Sequence, residues 1–290
     1  MRDPGEGGGV EALAEAQPAP KRVWPSIVTL VMGLMGSLFG GCIGGVFFVP
    51  HDGTVPDLSR LMRDPAFLIV SLAVTQLGLF FAVRAMPGAL RDVQDDWHER
   101  VAWRTAGFSV IDVVLGTVGA AAVGTVTLTL LAPARVPGIA FESFAAGAAT
   151  GSDAQFLGLL LFGAVLPGLV EELAFRGLLQ TRLVERYGPA VGITLASVIF
   201  GVWHLDPQQG LTALVLGGWF GWLAWRQDTI VNVALVHTLN NALAFLLART
   251  GGIGARLSVE ARLVVWSALL VCCGVLLHRR TRGRSRLTRG

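Results

Sequence analysis

Three short groups of ionisable and amide side chains stand inside otherwise apolar sequence. The first is Leu169-Val170-Glu171-Glu172-Leu173-Ala174-Phe175-Arg176-Gly177, with two acids and a base in six positions. The second, Phe200-Gly201-Val202-Trp203-His204, precedes Asp206-Pro207, and the third is His237-Thr238-Leu239-Asn240-Asn241. An isolated charge at the centre of a bilayer costs about 2.5 to 3.5 kcal/mol on insertion scales, so such groups must be paired, hydrated or used. Glu172 and Arg176 are four apart and can pair along one helix face, which leaves Glu171, about 100° around the helix, to face a cavity. His237 and Asn241 can address one bound group, whereas Asn240 points elsewhere. Each group alone also fits a structural role: an ion-pair cluster, a satisfied histidine at a helix end, or hydrogen bonding between helices. Three of them in one small bundle weigh toward a shared chemical site.

The elements that must position these groups are membrane helices. The 290 residues are 53% hydrophobic and 15% charged, with a mean hydropathy of +0.61, too apolar for a soluble domain with a mixed charged surface. Apolar runs of roughly 20 residues match a hydrocarbon layer of about 30 Å. They are expected at 24–49, 66–86, 108–131, 156–179, 189–205, 211–225, 230–247 and 257–277, which gives an all-α polytopic transmembrane bundle of about eight spans. Residues 1–23 read as a disordered N-terminal tail, 24–278 as one transmembrane domain with its catalytic core at about 156–247, and 279–290 as a basic tail. A charged loop or interfacial helix is expected at 91–100. The stretch 132–154 is expected as loop, given Pro133, Pro137, Gly147 and Gly151, with 139–149 as a candidate dip into the interface.

Charge sets the orientation. The net charge of +3 is concentrated near the C-terminus, where Arg279, Arg280, Arg282, Arg284, Arg286 and Arg289 follow an apolar run, the pattern of a cytoplasmic membrane flank and not of a nucleic-acid face. An even number of spans puts both termini on that side, and the remaining Lys and Arg favour the same arrangement. Drawn this way, Glu171 lies mid-membrane, His204 near the outer end of its helix and His237 toward the cytoplasmic start of its own. Straight perpendicular helices would hold these groups apart, so tilting or interruption is expected near Gly168, Gly177 and Gly201. The three cysteines, Cys42, Cys272 and Cys273, have no zinc-knuckle or redox spacing and read as packing residues. His98-Glu99 lacks the second histidine of the soluble zinc-protease signature, and no serine elbow or phosphate loop is present.

Together the three motifs resemble the CPBP family, the intramembrane CAAX proteases and their bacteriocin-processing or immunity relatives. Glu171, Glu172 and Arg176 match its Glu-Glu-x-x-x-Arg, Phe200 and His204 its Phe-x-x-x-His, and His237 and Asn241 its closing His-x-x-x-Asn, over about 156–247. The resemblance implies hydrolysis of a peptide bond in a membrane-associated peptide or protein. Glu171 would be the general base and His204 its activating partner, His237 and Asn241 would stabilise the oxyanion, and Glu172 and Arg176 would support them. Glu171, His204 and His237 also compose a set compatible with a catalytic zinc that keeps one position open for water, although the same atoms can cradle an unligated water. With Lys21 the sole lysine and heavy Arg, Ala and Gly usage, the chain is expected in a bacterial cytoplasmic membrane. A non-proteolytic immunity or interaction protein on the same fold is the alternative, and a transporter a third reading.

Overall fold

The structure is a computed structural model that describes residues 22–46, 48, 57–90, 101–134, 136, 138–251 and 257–282. The N-terminal tail, the charged segment 91–100 and the arginines beyond Arg282 lie outside the described residues. Nine main helices make up the described chain: α1 (Trp24–Val46), α2 (Pro65–Ala89), α3 (Val110–Leu131), α4 (Ile139–Thr150), α5 (Asp153–Tyr187), α6 (Pro189–Trp203), α7 (Pro207–Gln227), α8 (Val231–Thr250) and α9 (Val259–Arg280). No strand occurs among the described residues. Eight of these helices fall at the eight expected spans. By length and composition α2, α3 with the turn after it, α5, α8 and α9 can cross a membrane, while α6 and the apolar part of α1 are shorter.

Local chemistry sets the helix ends. Asp64 accepts from the backbone N–H groups of Ala66 and Phe67 and is followed by Pro65, a helix-starting pair that opens α2. Ser152 and Gln155 form a reciprocal capping box at the start of α5. Between α5 and α6 the chain turns at Gly188, where φ is +79°, a conformation that glycine adopts without steric cost, and Pro189 then starts the next helix. Asp206 serves two helices: its side chain accepts from Gln209 N–H at the start of α7 and from Ala140 N–H at the start of α4.

That second contact corrects the expectation of a loop at 132–154, because 139–150 is helical. Gly147 is a packing residue there, and an added Cβ would lie 2.7 Å from Leu68 Cδ1. Gly151 marks the end of α4 and Pro137 precedes its start.

Helix α5 is the centre of the bundle: half of its most apolar window is buried (50%), against 6% for α9. Its course includes two stretches wound as π-helix, Leu161–Val165 and Glu172–Gln180, and every residue of the second is buried. α1, α2, α6 and α7 all pack around that second stretch. α9 packs chiefly on α3, and its C-terminal end is fastened there by Arg280, whose Nε donates to the fully buried Asp112 carboxylate at 2.6 Å. Asp112 is therefore an ion-pair anchor. Cys273 is buried and Cys272 exposed, both as free thiols.

Candidate active site

Depth was the obstacle to assembling the three motifs, and the structure removes it in two ways. The fifteen residues of α6 rise about 22 Å, short of a full hydrocarbon layer, so its C-terminal His204 is not carried across the bundle. Gly168 lets α5 lie directly against α8, where an added Cβ would stand 2.7 Å from Thr238 N. The close approach of α5 and α8 lets His237 Nδ1 reach Glu172 Oε1, and the winding of α5 changes at Glu172, near Gly168 and Gly177 where an interruption was expected. Gly201 similarly admits the start of α7 beside α6, with Gly210 O 2.8 Å from the position of an added Cβ.

At the centre of the site stands Glu172. Its Oε1 accepts from Arg176 Nη1 at 2.9 Å and from His237 Nδ1–H at 2.8 Å, and all three side chains are almost wholly buried. Arg176 also donates to Gly217 O at 3.5 Å, and its guanidinium lies 4.1 Å from the ring centre of Phe200 and 5.4 Å from that of Phe220. Phe220 stacks on the His237 ring at 4.9 Å, while Phe200 meets His204 edge-on at 4.9 Å and His237 at 6.1 Å. The two phenyl rings thus form apolar walls around Glu172, Arg176 and His237 and replace water that would otherwise weaken the Glu172–Arg176 ion pair.

Glu171, adjacent in sequence, is also buried but differently held. Its Oε1 accepts from the neutral Gln76 amide of α2 at 2.9 Å. Its charge acts on both Arg176 and His204. His204 closes α6, and its Nδ1–H donates to Phe200 O at 2.8 Å. Both histidines therefore use Nδ1 for orientation and keep Nε2 for other chemistry.

Asn241, four residues after His237 on α8, has a different partner. Its amide reaches Gly163 O, in the first π stretch, at 3.4 Å. Asn240 donates to Asn241 Oδ1 at 3.4 Å. Both π stretches of α5 thus meet a motif residue of α8.

For a metal, the decisive fact is how the donors are grouped. Among the described residues no set of three or more His, Cys, Asp or Glu side chains is gathered so that it could hold an ion. The carboxylate that meets His237 is Glu172, already engaged by Arg176.

Two participants were not singled out from the sequence. Gln76 carried a readable signal, being a lone amide inside the apolar run of α2. Phe220 carried none, since it is one of fifteen phenylalanines and nothing in its spacing marks it.

Fold and site together define a polytopic helical membrane protein with a buried cluster of acid, base and imidazole groups inside its bundle. Residues 153–243 match the model of the type II CAAX prenyl endopeptidase Rce1-like family, so over that segment the chain is similar to CAAX proteases. All seven motif residues fall within it. Neither the curated proteins nor the solved structures contain a match to this chain.

Proposed function

We propose that this chain is an intramembrane endopeptidase in which Glu171 activates water to cleave a peptide bond in a membrane-associated peptide or protein. The observation that carries the reading is the unequal use of two adjacent carboxylates. Glu172 is paired in place with Arg176 and His237, whereas the hydrogen bond to Glu171 comes from a neutral amide and leaves that carboxylate able to accept a proton. A general base needs that freedom together with a fixed position.

In this reading Glu171 takes a proton from water as its oxygen attacks the carbonyl carbon. His204 orients the water through Nε2, because Nδ1 is committed to Phe200 O. Asn241 stabilises the oxyanion from its amide, whose bond to Gly163 O is long enough to be exchanged for a better acceptor. His237 can donate to the same oxyanion from Nε2 only as the imidazolium, since Nδ1–H faces Glu172. Breakdown of the tetrahedral intermediate returns the proton from Glu171 to the leaving amine.

The family match favours a prenylated substrate ending in a CAAX sequence as the first to try. The topology proposed with it has both termini cytoplasmic in a bacterial cytoplasmic membrane. The C-terminal ends of α7 and α9 meet where Arg226 binds Thr281 and His278 O, which puts those two ends on one side in that topology.

The test is cleavage of prenylated and unprenylated membrane peptides by the full chain in proteoliposomes, comparing wild type with Glu171→Gln. Loss of cleavage in a variant that still inserts and folds is expected, since the amide retains the shape but cannot accept the proton. Undiminished cleavage by folded Glu171→Gln would sink the assignment.

A further inference from the structure

The C-terminal end of α9 carries two kinds of cation. Arg280 is spent on Asp112, and Arg226 of α7 is spent on Thr281 Oγ1 and His278 O. Arg279 and Arg282, with the His278 side chain, instead line an open groove of about 490 Å3 at the seam between α7 and α9. Its other walls are Trp219, Trp222, Gly274 and Val275, and no acid lines it among the described residues. The tryptophans are held in place, ring centres 5.3 Å apart, with Trp219 Nε1–H donating to Gly116 O at 3.0 Å.

We propose that this groove binds one anionic phospholipid, its phosphate between Arg279 and Arg282 and its upper acyl chain against Trp219, Trp222 and Val275. Three features specify this occupant. The lining changes from apolar and aromatic to cationic along the last turns of a helix long and apolar enough to cross a membrane, the order in which a lipid changes from chain to headgroup. Two arginines with no competing carboxylate favour a phosphate over a zwitterionic or neutral headgroup. The seam also has room for a chain, because α9 rests chiefly on α3 and leaves its α7 side open. The lipid would then wedge the least buried helix against the bundle.

The experiment uses the purified full chain in nanodiscs of phosphatidylcholine with or without phosphatidylglycerol, read by thermal unfolding and by native mass spectrometry of retained lipid. Phosphatidylglycerol should be retained and should raise the unfolding temperature. Each arginine is expected to contribute roughly five-fold in affinity, so Arg279→Gln with Arg282→Gln should weaken retention about 25-fold, while the paired lysine replacements should keep most of it. The exposed Arg186→Gln removes a charge elsewhere and should change nothing. In the wild type, phosphatidylglycerol brominated on its acyl chains should quench tryptophan fluorescence more than brominated phosphatidylcholine, and Trp222→Phe should reduce the difference. Equal quenching by the two lipids, or equal retention by the double glutamine variant, would overturn the site. A thermal shift reproduced by inorganic phosphate at matched concentration would assign the groove to a free anion and overturn the lipid reading.

Discussion

Gln76→Met is the substitution that most directly probes how Glu171 is held. The two side chains are similar in length, and methionine suits the apolar wall of α2, so the change removes an amide with little change in volume. Gln76 is 2% exposed and its Nε2 lies 2.9 Å from Glu171 Oε1. A hydrogen bond to a charged group is worth about 1.5 to 3 kcal/mol, which corresponds to about 10- to 150-fold if all of it holds the base in its reactive position. The Oε1 atom of Gln76 is buried without a protein partner, so removing it relieves a cost and offsets part of the destabilisation. Catalysis should therefore suffer more than folding. Single-turnover cleavage in proteoliposomes, with substrate binding and thermal unfolding measured on the same preparations, separates the two. A fall of at least about ten-fold in the chemical step with binding retained is the expected result. A chemical step within about three-fold of wild type in folded protein would show that Gln76 does not position the base.

Two further outcomes follow from the packing and the donor geometry. Gly168→Ala would drive a methyl against the backbone of Thr238, which cannot swing aside as a side chain can; a loss of about 1 to 3 kcal/mol is expected, seen as a lower unfolding temperature, and an unchanged transition would remove Gly168 as the contact that sets α5 on α8. Prolonged chelation should leave peptide cleavage intact and purified protein should carry far less than one zinc per chain, whereas near-stoichiometric zinc lost on His204→Ala or His237→Ala would restore the ligand set of Glu171, His204 and His237.

What the sequence made legible was governed by the bilayer and by local chemistry. Spans could be placed to within a few residues because the apolar length needed to cross is fixed, and because Asp64-Pro65 and Gly188-Pro189 mark boundaries in their own right. The helix 139–150 was hidden because Gly147 reads as a turn residue until Leu68 is seen against it. The pairing of Glu172 with Arg176 was legible from their spacing. The bond from His237 to Glu172 was not, since it depends on how closely α5 and α8 approach and on the winding of α5.

That winding bears on the chemistry. A π turn takes one residue more than an α turn, so every residue after Glu172 is rotated from the position that a regular helix would give it. Even in a regular helix, adjacent carboxylates stand about 100° apart and face different neighbours. Here the change from α to π winding falls between Glu171 and Glu172, the last residue of one kind of turn and the first of the next. Glu172 faces α8 and enters a salt-bridged triad, while Glu171 faces α2 and meets a single amide. A buried carboxylate hydrogen-bonded only to a neutral amide is costly in a bilayer, and a protein that needed only a stable core could have placed an apolar residue at position 171. The cost is intelligible if that carboxylate must exchange a proton, which is why the unequal partners of Glu171 and Glu172 weigh more in the functional reading than the presence of either residue.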